Sequence, residues 1–320
     1  MALTHNLGGT TVPATVVVLR ALGLGDLLTA VPALRGLRRH APIARIVLAA
    51  PSRYRELALL TGAVDEVVDA AGPGPVSGID APPDLAVNLH GRGPQSIGAL
   101  LQLSPAMLLT HRHDDHPGIA GPRWRADLHE VDRWCELLHW AGIDCRADDL
   151  LLDRPEGYPH TSDAVIIHPG AAAAARRWPA ERFAAVARTL SEQGMRVVVS
   201  GSPAEHDLVA DVTRAAGLPP SAMWCSPDLL ALVALVSDAR LLICGDTGVG
   251  HLATATGTPS VLLFGPTPPQ QWGPRRAGDH IALWAGDRGD PHADRPDSGL
   301  LLITVARVLN AAQAALGRTA

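Results

Sequence analysis

Three short segments gather residue types that could do chemistry. The first, Leu19-Arg20-Ala21-Leu22-Gly23-Leu24-Gly25-Asp26, joins an apolar run to a helical stretch. An Asp at a helix start can cap it by accepting a backbone N–H, and the helix N-terminus keeps the carboxylate ionised. An ionised carboxylate can also take a proton as a general base, so capping and catalysis are compatible roles for Asp26. The second segment is Ile167-His168-Pro169-Gly170, then Ala171 to Ala175, then Arg176-Arg177-Trp178-Pro179. A guanidinium is a fixed fork of donors suited to phosphate, and a helix N-terminus adds oriented N–H groups. A solvated basic loop is the plainer alternative for two arginines taken alone, and Trp178 reads as a packing residue. The third is Cys244-Gly245-Asp246-Thr247-Gly248-Val249-Gly250-His251-Leu252. Its glycines let the backbone approach a ligand closely. Asp246 and Thr247 can hydrogen-bond sugar or phosphate oxygens, and His251 falls in the first helical turn. A tight turn with Asp as cap is the structural alternative, but the combination favours a site.

Each segment needs a strand before it and a helix after it. Val16 to Leu19, Arg45 to Ala49, Val64 to Val68 and Leu85 to Leu89 read as strands, with helices over about Asp26–His40 and Asp127–Trp140. A second series follows: strands at Val165–Ile167, Val197–Val199, Leu241–Cys244 and Val261–Phe264, and helices from Pro179, at Leu229–Val236, Gly250–Thr256 and near Leu301–Leu316. All-apolar strands alternating with amphipathic helices predict parallel sheets covered on both faces. Two such series predict an α/β protein of two Rossmann-like doubly wound domains facing a central cleft. The weak point between them, Asp148 to Ser162, sets the expected domains at 1–155, 156–299 and a C-terminal helix, 300–320. Arg275 to Ser298 reads as a surface loop.

Composition narrows the class further. The chain has 320 residues, 47% apolar and 18% charged, which excludes a disordered or fibrous protein. All 27 of its Lys+Arg residues are Arg, against 32 acids and a net charge of -5. A general nucleic-acid binder is usually basic, so none is expected as a partner, and the absence of lysine excludes Schiff-base and P-loop lysine chemistry. Cys135, Cys145, Cys225 and Cys244 have no zinc-like or redox spacing and read as free thiols of a reducing compartment. Met1 to Pro13 lacks the pattern of a signal peptide. No run of about 18 apolar residues suggests a membrane span. A cytoplasmic protein is expected.

The three segments, with Glu205 between the second and third, resemble the ADP-heptose:lipopolysaccharide heptosyltransferase family, glycosyltransferase family 9. Phe264-Gly265-Pro266-Thr267 and Trp272-Gly273-Pro274 extend the resemblance, which runs from Val16 to about Pro274. It implies a GT-B architecture, a nucleotide-sugar in the C-terminal domain, an acceptor on the N-terminal domain, and a last helix crossing back to the first domain. It implies inversion at the anomeric carbon with no metal or other cofactor, ADP-heptose being the expected donor. By the same resemblance Gly25 counts among the donor-binding residues, Asp26 after it matches the proposed base, and Arg176 matches the cation supporting the leaving diphosphate. Glu205 matches the acid that holds the nucleoside or ribose. Asp246, Thr247, Gly248 and His251 match the diphosphate and sugar loop, with Gly170 and Arg177 beside it.

Two positions depart from the family pattern. The loop after Gly170 offers Ala171 to Ala175 where Ser or Thr is usual, and Arg176 stands where Lys is usual. On the acceptor side, His90 and Arg92 lie at the end of an N-terminal-domain strand. His111, His113 and His116 match no standard metal spacing and read as a polar acceptor-contacting or mobile loop. The long loop at Arg275 and Arg276 could serve as a lid or be plain surface. The acceptor, a glycan, glycolipid or small natural product, is left open, as is peripheral contact with the inner membrane face. A nucleotide-sugar-binding paralogue without activity is a second reading, motivated by the alanine loop. A nicotinamide dehydrogenase is a third, but Leu28 occupies the place of the third glycine and the second strand ends without an acid.

Overall fold

The computed structural model describes residues 12–161, 163–275, 279–286 and 288–318. Arg276 and most of the N-terminal stretch before Pro13 lie outside them. The chain divides into two compact units, Met1–Leu150 and Leu151–Ala320. The boundary falls slightly before the one expected after residue 155.

The first unit runs β1 (Thr15–Leu19), α1 (Leu24–His40), β2 (Arg45–Ala50), α2 (Arg55–Leu60), β3 (Glu66–Asp69), β4 (Leu85–Asn88), α3 (Gln95–Leu101), β5 (Met107–Leu109) and α4 (Glu130–Trp140). Its sheet has the order β3-β2-β1-β4-β5 and is parallel throughout. β1 is central and apolar, with Val16 to Leu19 fully buried. Residues from neighbouring strands, including Val17, Val47 and Ala86, pack with Ile97 and Leu100 of α3 in one core.

The second unit runs β6 (Ala164–His168), α5 (Ala180–Glu192), β7 (Arg196–Gly201), α6 (His206–Ala215), β8 (Met223–Cys225), α7 (Leu229–Ser237), β9 (Leu241–Gly245), α8 (Gly248–Thr256), β10 (Ser260–Leu263), α9 (Pro269–Trp272), β11 (His280–Leu283), α10 (Ser298–Leu301) and α11 (Val305–Leu316). Its sheet order is β11-β10-β9-β6-β7-β8, again all parallel. In each sheet the order reverses beside the first strand: between β1 and β4, and between β6 and β9. Ligands of doubly wound sheets bind outside the carboxyl ends of the strands at such a switch point.

Several expectations are corrected. The stretch from Arg275 to Ser298 contains β11, which extends the second sheet through Ser260 and His280. The final helix is two, α10 and α11, separated where Thr304 caps α11 by accepting the Arg307 N–H. The apolar face of α11, with Val308, Ala312 and Leu316, is buried in the second unit's own core beside Phe183 and Leu263. Cys135 and Cys145 are not free thiols but a disulfide, with Cα atoms 5.1 Å apart. Gly142, at φ +78°, ends α4 and folds the chain back along its last turn, where His139 hydrogen-bonds the Cys145 backbone. Cys225 and Cys244 are free. Among the described residues no helix is long and apolar enough to cross a membrane.

Candidate functional site

In the first unit, Arg20 to Asp26 follow β1 and Leu89 to Arg92 follow β4, so both segments stand at the switch point. Helix α1 begins at Leu24 with Gly23 as N-cap. Asp26 is therefore the third helical residue rather than the cap, and Gly25 the second. The Asp26 carboxylate reaches back to the Gly23 N–H through Oδ2 (3.1 Å), while Oδ1 receives Arg20 Nη2 (3.2 Å). Its side chain is 26% exposed. It is thus both held and reachable.

His90 accepts the Ala21 N–H at Nδ1 (3.2 Å). Burial, with the Arg20 cation adding to it, lowers its imidazole to about 4. His90 is therefore neutral near pH 7, with its proton on Nε2. Arg92 is exposed. Asn88 is buried and donates to Gly91 O, Ser96 Oγ and Thr110 Oγ1, tying the β4, α3 and β5 ends together. In the segment after β5, expected as a polar acceptor-contacting or mobile loop, Thr110 and His111 are buried, and His111 packs edge-on against Trp124 and Trp134. Among the described residues, no group of three His, Cys, Asp or Glu could hold a metal.

In the second unit, β6 ends at His168 and β9 at Gly245, side by side. His168 is buried, hydrogen-bonds Ser200 Oγ (3.1 Å), and is kept neutral by that burial. Gly170 packs against the Glu205 carboxylate: a Cβ there would lie 2.0 Å from Glu205 Oε1, so any other residue would displace that side chain. Glu205 accepts the Ser202 N–H (2.9 Å) and hydroxyl (2.8 Å). Burial acts to raise its carboxyl, but the Ser202 bonds, together with the neighbouring His168 and Arg177, outweigh it and keep it low. Arg177 itself is exposed, with Nε on the Ala171 carbonyl (2.8 Å).

The alanine run turns so that Arg176 lies on the β9 end. A Cβ on Gly245 would come within 2.8 Å of the Arg176 carbonyl. The Arg176 guanidinium makes one long bond, Nη1 to the Asp246 carbonyl (3.4 Å), and its Nε is buried with no acceptor. Buried donors are nearly always satisfied, so this one points to an absent acceptor. Asp246 is 7% exposed. Burial pushes its carboxyl up to about 6, against the pull of Arg176 and the Thr267 hydroxyl. Thr247 caps α8 through the Val249 N–H (3.2 Å), and Gly248 is the first helical residue. Behind the loop lies a small pocket, walled by Thr254, Leu262, Phe264 and Trp272. His251 stands edge-on to Trp272, ring centres 6.0 Å apart. Trp178 is a packing residue as expected, buried against Phe183 with its Nε1–H on the Ile303 carbonyl (2.9 Å).

The expected residues thus form two sets. Asp26 and His90 belong to the first switch point, and Gly170, Arg176, Arg177, Glu205 and Asp246 to His251 to the second. Sequence reasoning did not find Arg20, Glu130 or Thr267 as partners of these groups. An Arg directly after an apolar strand was the available signal for the first.

Two doubly wound parallel sheets, each with its polar groups at a switch point, define an α/β protein of the GT-B type. The profile of glycosyltransferase family 9 (heptosyltransferase) matches residues 123–298, and the chain belongs to that family. It is 32% identical over 145 residues to lipopolysaccharide heptosyltransferase 3 of Escherichia coli, a match covering 44% of this chain and 42% of that protein. The chain spans less than half the length of the curated relatives it matches. In fold it is similar to a glycosyl transferase family 9 structure from Veillonella parvula (TM-score 0.78, 23% identity, 95% of this chain and 97% of that one). It is also similar to the ADP-heptose lps heptosyltransferase II of Escherichia coli (TM-score 0.75, 21% identity, 95% and 99%).

Proposed function

We propose that this protein is an inverting glycosyltransferase that moves a sugar, with heptose from ADP-heptose as first choice, to a hydroxyl of a glycan or glycolipid. The observation that carries the reading is Arg176, whose buried, acceptorless Nε and weakly engaged guanidinium lie against the Asp246 loop and the start of α8. A diphosphate supplies the missing acceptors. A fixed cation and helix-terminal N–H groups stabilise its negative charge without waiting for solvent to reorganise.

In this reading the acceptor O–H gives its proton to the Asp26 carboxylate as its oxygen attacks the anomeric carbon. The bond from that carbon to the diphosphate oxygen breaks on the opposite face, and the nucleoside diphosphate leaves with the electron pair. Arg176 and the α8 amides meet the charge on the leaving group, and we assign them this role without a metal. Glu205 and the glycine at 170 hold the nucleoside side. His90, neutral with its proton on Nε2, offers a donor to an acceptor oxygen. A lipopolysaccharide-core glycan as acceptor would bring the protein to the cytoplasmic face of a membrane through its substrate.

The test is Asp26→Asn, which keeps size and removes the base. Loss of a general base costs about 10²–10⁴-fold, so sugar transfer should fall at least a hundredfold while ADP binding, measured by calorimetry, is kept. Near-normal turnover would refute the assigned base. Thermal shift across ADP-, GDP- and UDP-sugars checks the donor: ADP compounds should stabilise most.

A further inference from the structure

Asp26 is the exposed end of a buried charge network. Arg20 is 1% exposed, and its one guanidinium ties four chain segments. Nε donates to the Asp26 carbonyl (2.9 Å) and Nη1 to the Leu89 carbonyl after β4. Nη2 is shared among Glu130 Oε1 (2.9 Å), Thr29 Oγ1 (3.2 Å) and Asp26 Oδ1 (3.2 Å). Glu130, at the first turn of α4, also accepts Trp134 Nε1 (3.1 Å) and, at Oε2, Arg133 Nε (3.0 Å). The Arg20 Cζ lies 4.8 Å from the Trp134 ring centre. Every strong donor and acceptor here is used, as a buried ionic network requires.

The geometry is informative about basicity. A carboxylate paired with an unshared Arg is held ionised and becomes a poor proton acceptor. Here Glu130 stands closer to Arg20 than Asp26 does, 2.9 Å against 3.2 Å, so the one cation faces two carboxylates. We infer that Arg20 and Glu130 are positioning residues for the proton transfer: Arg20 fixes the Asp26 carboxylate, and Glu130 shares the Arg20 charge so that Asp26 stays basic. The inference rests on the reading of Asp26 as the base.

The other ionisable groups around the network do not confuse it. His90, after β4, and His111, after β5, are both held neutral, lowered to about 4 mainly by burial. His129 caps α4, accepting the Val131 N–H. Arg133, stacked on Trp124 at 4.0 Å, faces Glu130.

The experiment is a pH titration of the full-length protein carrying ¹³C-carboxyl aspartate. The Asp26 signal is assigned by its loss in Asp26→Asn. In Arg20→Met the Asp26 midpoint should rise by about one pH unit. In Glu130→Gln, where Arg20 is left to Asp26, it should fall by about half a unit. A purely structural staple would lower the melting temperature in both variants without moving the midpoint in opposite directions. A midpoint unmoved within about 0.2 unit in a Glu130→Gln protein that melts cooperatively and binds ADP overturns the inference, as does movement the same way in both variants. If Arg20→Met does not fold, Glu130→Gln decides alone. The titration needs no acceptor. Activity surviving in Asp26→Asn would sink the base assignment while leaving the network's effect on Asp26 measurable.

Discussion

At the scale of single residues, the departure at position 176 is the sharpest question. The chain has no lysine at all, so Arg where the family usually has Lys follows the composition of the whole protein. The structure gives that Arg the surroundings of an anion site: half-buried, one bond at 3.4 Å and a buried Nε without an acceptor. Lys would bring a point charge in place of a fork. Arg176→Lys should therefore keep turnover within about tenfold of the parent, a change of about 1.4 kcal/mol in the barrier. Arg176→Ala removes the charge and should cost at least a hundredfold, with weaker ADP binding. Equal rates in all three proteins would take Arg176 out of the mechanism. The residues of this site were legible because their chemistry is local: Asp246 to His251 form one turn. Arg20 and Glu130 were not, since 110 positions separate them and only packing of α4 on α1 joins them.

Among the elements, those with long apolar runs declared themselves. β1, β6, β7 and β9 are buried along most or all of their length, and a continuous apolar run is the signature of such a strand. β5 and β8 have three residues each, too few for any period to show. The connection after the first unit was legible as a boundary but not in its contacts. Arg154 lies in a Pro- and Gly-containing stretch, yet it forks onto both oxygens of Asp238, at the end of α7 (2.8 and 3.0 Å), and the Thr161 N–H adds a third bond (3.0 Å). The Arg154 hydrogen bond, outweighing burial, holds the Asp238 carboxyl down to about 2 from an ordinary 3.8. A depressed folded value stabilises the protein above the unfolded value and is lost as pH falls through the folded one. Asp238→Asn should lower the melting temperature at pH 7, and the gap to the parent should narrow as pH falls from about 4 toward 2. A gap constant across that window would show that the ion pair adds nothing.

For the whole molecule, the division of labour follows from where the cores are. Every residue assigned to the donor except Gly25 belongs to Leu151–Ala320, and that unit has a core of its own. Val165, Ile167, Phe183, Val199, Ile243 and Leu263 pack with Val308 and Ala312 of α11 in one cluster. A domain of that length buries roughly 70% of the surface its unfolded chain exposes, enough to fold unaided. It also retains both strands of its switch point, β6 and β9, and the α8 N-terminus. The fragment 151–320 should fold alone and bind ADP with an affinity within about tenfold of the full chain, or about 1.4 kcal/mol. ADP should raise its melting temperature, since a ligand that binds only the folded state stabilises it. Removing residues 305–320 takes α11 out of the core and should unfold the fragment. Calorimetry and melting curves on the two fragments check both statements. A folded 151–320 that ignores ADP would mean that the donor site is not complete within the second unit.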